Sequence, residues 1–246
     1  MSLGLHRYVL TIWKQPGALP VDELKAAFPP TARLRFNSRN FIAKYNLGVP
    51  IAGNFYQAKF DEHVREKRGL RLSTGFKDQQ IVPDVVDEAP VLTVEVKFAS
   101  GTIINLGAEL TPAQVKDIPE YLSWRVDEPN ALYTLCLTDP DAPSRADPKY
   151  REFVHWLVVN VRGQDISSGQ TLVEYAPSSP GKDTGLHRYC LLLYKQPTGV
   201  INPDFKPINS SSSREERRSF RIRDFAVKNG LQGPVAGNYY LAQYQD

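Results

Sequence analysis

Leu132-Tyr133-Thr134-Leu135-Cys136-Leu137-Thr138-Asp139-Pro140-Asp141-Ala142-Pro143-Ser144-Arg145 runs from a largely apolar segment straight into a loop with two aspartates and two prolines. Apolar residues are nearly continuous from Leu132 to Thr138, the pattern of a strand buried on both faces. The loop that follows is stiff, with little conformational freedom to lose on binding. It reads either as an elaborate turn or as a rigid wall whose carboxylates face a pocket.

The same strand pattern recurs on both sides of this segment. Val154 to Val161 and Tyr189 to Tyr194 are again continuously apolar. Farther upstream, Leu92, Val94, Val96 and Phe98 alternate with Thr93, Glu95 and Lys97, as in a half-buried antiparallel strand. Turn-rich connectors at Pro129-Asn130, Asp139 to Pro148, Arg162 to Asp165 and Ala176 to Thr184 separate these runs. Several strands with long connectors predict a mainly β, two-sheet antiparallel fold with Greek-key links. Helices are expected to be few. Thr111 to Val115 starts one after a Thr-Pro entry, and Phe220 to Lys228 is a stronger case. Arg65 to Arg68 reads as a charged surface helix broken at Ser73-Thr74-Gly75. Ser210 to Arg218 reads as a solvated loop.

Part of the chain occurs twice. Gly4-Leu5-His6-Arg7-Tyr8 returns as Gly185-Leu186-His187-Arg188-Tyr189, and Lys14-Gln15-Pro16 as Lys195-Gln196-Pro197. Pro50-Ile51-Ala52-Gly53-Asn54-Phe55-Tyr56 returns as Pro234-Val235-Ala236-Gly237-Asn238-Tyr239-Tyr240. Asn37 to Tyr45 corresponds to Ser219 to Lys228. Only the second copy follows the strands just described. The expected organisation is a partial copy with its linker at 1–75 and a complete domain at 76–246.

Composition narrows the function classes. The net charge of +3 falls far short of the basic excess of a dedicated nucleic-acid binder. No apolar run reaches the roughly 20 residues of a membrane span. Cys136 and Cys190 each lie inside an apolar run and read as buried, reduced thiols. With no basic, apolar leader at the start, they predict a cytoplasmic protein.

Candidate chemistry gathers at strand ends. Phe153, His155, Leu157 and Val159 share one strand face, and His187 opens the strand that contains Tyr189. The Pro177 to Asp183 loop precedes that second histidine and offers backbone N–H groups to an anion. Two histidines, two aspartates and a tyrosine at strand ends point to a small polar pocket for a phosphate-like group. Catalysis has less support. Ser178 and Ser179 lie in no Gly-x-Ser-x-Gly elbow, the histidines lack zinc-ligand spacing, and the glycines form neither a P-loop nor a dinucleotide fingerprint.

The motifs at Asp139 to Arg145, Asp147 to Glu152, His155, Asp165 to Gly169 and Gly185 to Tyr189 resemble the phosphatidylethanolamine-binding proteins. The likeness covers about residues 76–246, and residues 4–63 again resemble the family's C-terminal part. It implies a shallow anion pocket formed by Asp139, Asp141, Pro143, Phe153, His155, Pro180, Gly181, His187 and Tyr189, with Pro143 at a position where the peptide is often cis. It implies no cofactor and no enzymatic turnover. The implied ligand is a phospholipid headgroup or phosphate-like anion, and the implied protein partner is a Raf- or MEK-type kinase. A serine protease is the alternative target, and phosphoester processing a third reading. Two departures stand out. A Trp-His-His-Phe run typical of the family is here Phe153-Val154-His155-Trp156, and the family's last helix would lie beyond Asp246, with Asp61 to Arg71 as a candidate replacement.

Overall fold

The computed structural model describes residues 6–20, 22, 24, 37–58, 62–126, 128, 130–210, 212 and 214–245. The chain divides into two units, Met1–Glu62 and His63–Asp246.

In the first unit, β1 (His6–Ile12) and β2 (Ala52–Ala58) form a two-stranded antiparallel sheet, with helix α1 (Ser38–Lys44) between them in sequence. Asn37 caps α1, its side-chain oxygen accepting from the Asn40 amide at 3.2 Å. The register sets His6 opposite Ala58, Tyr8 opposite Tyr56 and Leu10 opposite Asn54. The Tyr8 and Tyr56 rings stack with centroids 4.9 Å apart. Val9, Leu10, Ile12 and Phe55 are exposed.

The second unit opens with helix α2, which starts at the boundary and runs Glu62–Asp78. The helix break expected at Ser73-Thr74-Gly75 does not occur. Leu72 and Phe76, one turn apart, are fully buried, and their burial outweighs the local helix-breaking tendency. Gly75 has a different use. A Cβ there would collide with the Tyr239 hydroxyl, so glycine lets α2 approach that ring. The boundary expected at residue 75 falls within this helix.

A six-stranded sheet follows in the order β3 (Leu92–Thr93), β10 (Gln232–Ala242), β9 (His187–Gln196), β6 (Leu132–Asp139), β7 (Phe153–Arg162) and β8 (Gln170–Val173). All its pairs are antiparallel except β3 with β10. A second, two-stranded sheet joins β4 (Glu95–Lys97) to β5 (Tyr121–Ser123). The protein is mainly β, as the strand patterns predict.

The six-stranded sheet is covered on both faces, which explains the unbroken apolar runs. On one face Cys136, Leu157, Cys190 and Leu192 meet α2 and helix α3 (Ile222–Lys228) through Leu72, Phe76, Ile222 and Phe225. On the other, Leu135, Leu137, Leu191 and Leu193 meet Val94, Val96, Phe98 and Trp124. The expected alternation upstream holds: Val94, Val96 and Phe98 are buried while Glu95 and Lys97 are exposed. The helix expected at Thr111 to Val115 is only a turn, closed on itself. The Gln114 amide bonds the Thr111 hydroxyl at 3.1 Å, and the Gln114 side chain returns to the Thr111 amide at 2.9 Å.

β9 and β10 repeat the register of the first unit, with His187 opposite Ala242, Tyr189 opposite Tyr240 and Leu191 opposite Asn238. The Tyr189 and Tyr240 rings stack at 5.0 Å. Here the pair is buried, with β6 on the outer edge of β9.

Candidate functional site

β6 ends at Asp139, β7 starts at Phe153 and β9 starts at His187, so the antiparallel order brings three chain-distant residues to one end of the sheet. A cavity of about 370 Å³ opens there. Asp139, Pro143, Phe153, His155, Pro180, Gly181, His187 and Tyr189 line it, eight of the residues named from sequence. The Ala142–Pro143 peptide is cis.

Asp141 is not among the lining residues. It is fully buried, and its carboxylate is bound by Arg188: Nε donates to Oδ2 at 2.8 Å, Nη2 to Oδ1 at 2.6 Å, and the Arg188 backbone amide to Oδ2 at 2.9 Å. The second aspartate of the loop therefore clamps the loop to β9 and does not present an acceptor to the cavity. Spacing alone cannot separate these two uses of a carboxylate.

The pKa values of the two histidines move in opposite directions. His187 Nδ1 lies 2.8 Å from Asp139 Oδ2, and its Nε2 lies 3.0 Å from the Thr184 hydroxyl. That hydroxyl donates to the Gly181 carbonyl at 2.7 Å, so it accepts from His187. Both ring nitrogens then face acceptors, an arrangement that favours the protonated ring. Burial lowers the His187 pKa, but the hydrogen bond and charge of Asp139 outweigh it and the net shift is upward. His155 is as deeply buried as His187 but, among the described residues, has no carboxylate bonded to it. Its Nδ1 donates to the Ala176 carbonyl at 2.8 Å, and burial lowers its pKa to about 4 despite the nearby Asp139. It is neutral at physiological pH, and Nε2 is an acceptor. Burial, then the Asp139 charge, keeps the Tyr189 phenol protonated.

One wall of the cavity was not legible in the sequence. Arg214 and Arg218 line the cavity together with Ala142, Tyr150, Ser179 and Thr184. The segment expected to be a solvated loop is anchored by Arg217, only 4% exposed, whose guanidinium donates to the carbonyls of Val154, His155, Glu174 and Asn209. A run of charges in the sequence does not reveal which one turns inward. The serines have no nucleophile geometry: Ser178 shares a 2.6 Å hydrogen bond with the Tyr240 hydroxyl, and Ser179 accepts from Arg214 at 3.0 Å.

The phosphatidylethanolamine-binding protein family matches residues 94–240, more than half of the chain. The chain belongs to this family. A 26 kDa secreted antigen of Toxocara canis is 40% identical over 169 residues, 69% of this chain and 63% of that protein. The chain thus spans a little under two thirds of that relative's length. Among solved structures, CG7054 is 46% identical with a TM-score of 0.56, over 68% of this chain and 93% of that one. A carboxypeptidase Y inhibitor, solved in complex with its cognate proteinase, is 26% identical with a TM-score of 0.61, over 72% of this chain and 97% of that one. Phosphatidylethanolamine-binding proteins thus include binding and inhibitor proteins.

The expectation of a cytoplasmic protein is corrected by the secreted relative. It leaned on two unpaired thiols, and both are fully buried inside β6 and β9. A thiol sealed in a core is inert in any compartment and says nothing about location. Among the described residues, no helix is long and apolar enough to cross a membrane.

Proposed function

We propose that the cavity binds a phosphate-type anion and that the protein acts by binding, without turnover. The observation that carries this reading is the convergence of a His187–Asp139 ion pair, the neutral His155 and two guanidiniums on one small cavity. The ion pair is neutral as a unit, so the arginines leave the cavity with a positive balance that suits an anion. In this reading residues 63–246 carry the site without help from the first unit, and the protein works outside the cell, a reading supported by its similarity to a secreted antigen. A Raf- or MEK-type kinase has no support among these relatives.

The test is calorimetric titration of the full chain with inorganic phosphate. Binding is expected in the wild type and is expected to be lost in His155→Ala with an unchanged circular dichroism spectrum. Absence of heat in the wild type, or equal affinity in the variant, would overturn the assignment. A second reading, proteinase inhibition, is favoured by the similarity to the carboxypeptidase Y inhibitor. An inhibition assay against serine carboxypeptidases, with and without saturating phosphate, separates the two.

A further inference from the structure

Arg214 and Arg218 are held in place by more than their own backbone. The Arg217 side chain, buried between them in sequence, fastens the 3-10 turn Arg214–Arg217 to the carbonyls of β7 and of Glu174. Arg214 sits over the Phe153 ring at 5.4 Å and donates to Ser179. Arg218 sits over the Tyr150 ring at 4.1 Å. Both flat cations therefore lie against aromatic faces at the cavity wall, an arrangement that orients them without neutralising them.

Their charge is also poorly matched by acids. Among the described residues, Arg218 pairs with the exposed Glu215 at 3.2 Å, and such a surface pair is weak. The acid of the cavity, Asp139, is engaged by His187. His155 adds a separate requirement. With Nδ1–H given to Ala176, its Nε2 can only accept, so a ligand that meets it must bring a donor hydrogen.

We propose that this site selects phosphate monoesters over the zwitterionic glycerophosphoethanolamine diester. This rests on the cavity being a phosphate site, as proposed above. A monoester carries between one and two negative charges near neutral pH and, in its singly charged form, an ionisable P–OH. The P–OH supplies the hydrogen that His155 Nε2 lacks, and the remaining charge faces Arg214 and Arg218. A diester has one charge and no P–OH. Its ethanolamine ammonium would enter a cavity walled by two guanidiniums, of which Arg218 has a weak surface partner in Glu215, and like charges repel. The terminal phosphate of a soluble ester and that of phosphatidic acid have the same chemistry at this point.

The experiment titrates the full chain with inorganic phosphate, glycerol 3-phosphate and glycerophosphoethanolamine, and sediments it with phosphatidylcholine vesicles containing phosphatidic acid or phosphatidylethanolamine. Glycerol 3-phosphate is expected to bind at least tenfold more tightly than the diester. In Arg214→Gln/Arg218→Gln that ratio is expected to fall below threefold. The charge-keeping Arg214→Lys/Arg218→Lys retains most of it and serves as the control should the glutamine variant fail to fold. Sedimentation with phosphatidic acid vesicles identifies the lipid as a source, while tight glycerol 3-phosphate binding without sedimentation identifies a soluble ester. Each supports the proposal. Equal affinity for the two esters in a chain that binds inorganic phosphate, a preference for phosphatidylethanolamine vesicles, or an unchanged ratio in the folded glutamine variant overturns it. Failure of inorganic phosphate to bind the wild type would instead refute the phosphate site itself.

Discussion

His187 Nδ1 lies 2.8 Å from Asp139 Oδ2, joining the first residue of β9 to the last residue of β6 where the sheet meets the cavity. The Asp139 carboxylate raises the His187 pKa, so protonation of the ring strengthens this contact. Its strength therefore depends on pH.

The folded-state pKa of His187 stands above its ordinary value of 6.5. Its contribution to stability is complete below that value and is lost as pH rises through the folded pKa. Asp139→Asn is expected to cost about 2 kcal/mol at pH 5.5, as for a charge-assisted hydrogen bond, and less at pH 9. Urea unfolding of both proteins at the two pH values checks this. An equal cost at both would mean the pair is neutral.

Asp141 and His155 are expected to fail differently, although both are buried beside the same loop. Asp141→Ala removes the bidentate partner of the fully buried Arg188, leaving it Asp84 at 3.0 Å and the Gln79 carbonyl, and is expected to destabilise by about 3 kcal/mol. His155→Ala is expected to abolish phosphate binding with a much smaller loss of stability. Thermal unfolding and phosphate titration, measured on both variants, distinguish a loop clamp from a ligand contact.

Glu152 is 3% exposed, and its Oε2 has no hydrogen-bond partner among the described residues. Burial pushes its carboxyl up to about 7, against the lowering effect of Thr138 and the Ile222 amide. The folded pKa exceeds the ordinary 4.5, so the folded state holds the extra proton. Stability from this group is full below pH 4.5 and is lost as pH rises through 7, by up to about 3 kcal/mol. Glu152→Gln cannot ionise. Its melting temperature relative to wild type is expected to rise between pH 5 and pH 8 in differential scanning fluorimetry.

Gly75→Ala tests propensity against packing. Alanine favours an exposed helix interior by about 1 kcal/mol over glycine. Here the added methyl meets the Tyr239 ring, which is itself held edge-on by Phe76 at 5.4 Å. The variant is expected to lose about 1–3 kcal/mol, as overpacked cores do. Tyr239→Phe, which removes the nearest atom, is expected to restore part of the loss in chemical denaturation.

The strands, the stiff Asp-Pro loop and the family were legible in the residues themselves. Apolar periodicity and turn chemistry are properties of neighbouring positions, and they mark β6, β7 and β9 without reference to distant parts of the chain. The same holds for most of the cavity, because the loop and both histidines lie at strand ends. The inward turn of Arg217, the diversion of Asp141 to Arg188 and the unbroken course of α2 through Gly75 were not legible. Each is set by a partner remote in sequence.

The repeated segment separates the two kinds of information most cleanly. Its sequence determines a hairpin register, a stacked tyrosine pair and a short helix between the strands, and both copies have all three. Tertiary structure alone decides what the copies are worth. Tyr189 is 1% exposed beneath its neighbours, while Tyr8, in the equivalent place, is 47% exposed. Local sequence sets the backbone pairing. Desolvation, and with it the charge state of a histidine or the strength of an ion pair, is a sum over everything that surrounds the strand.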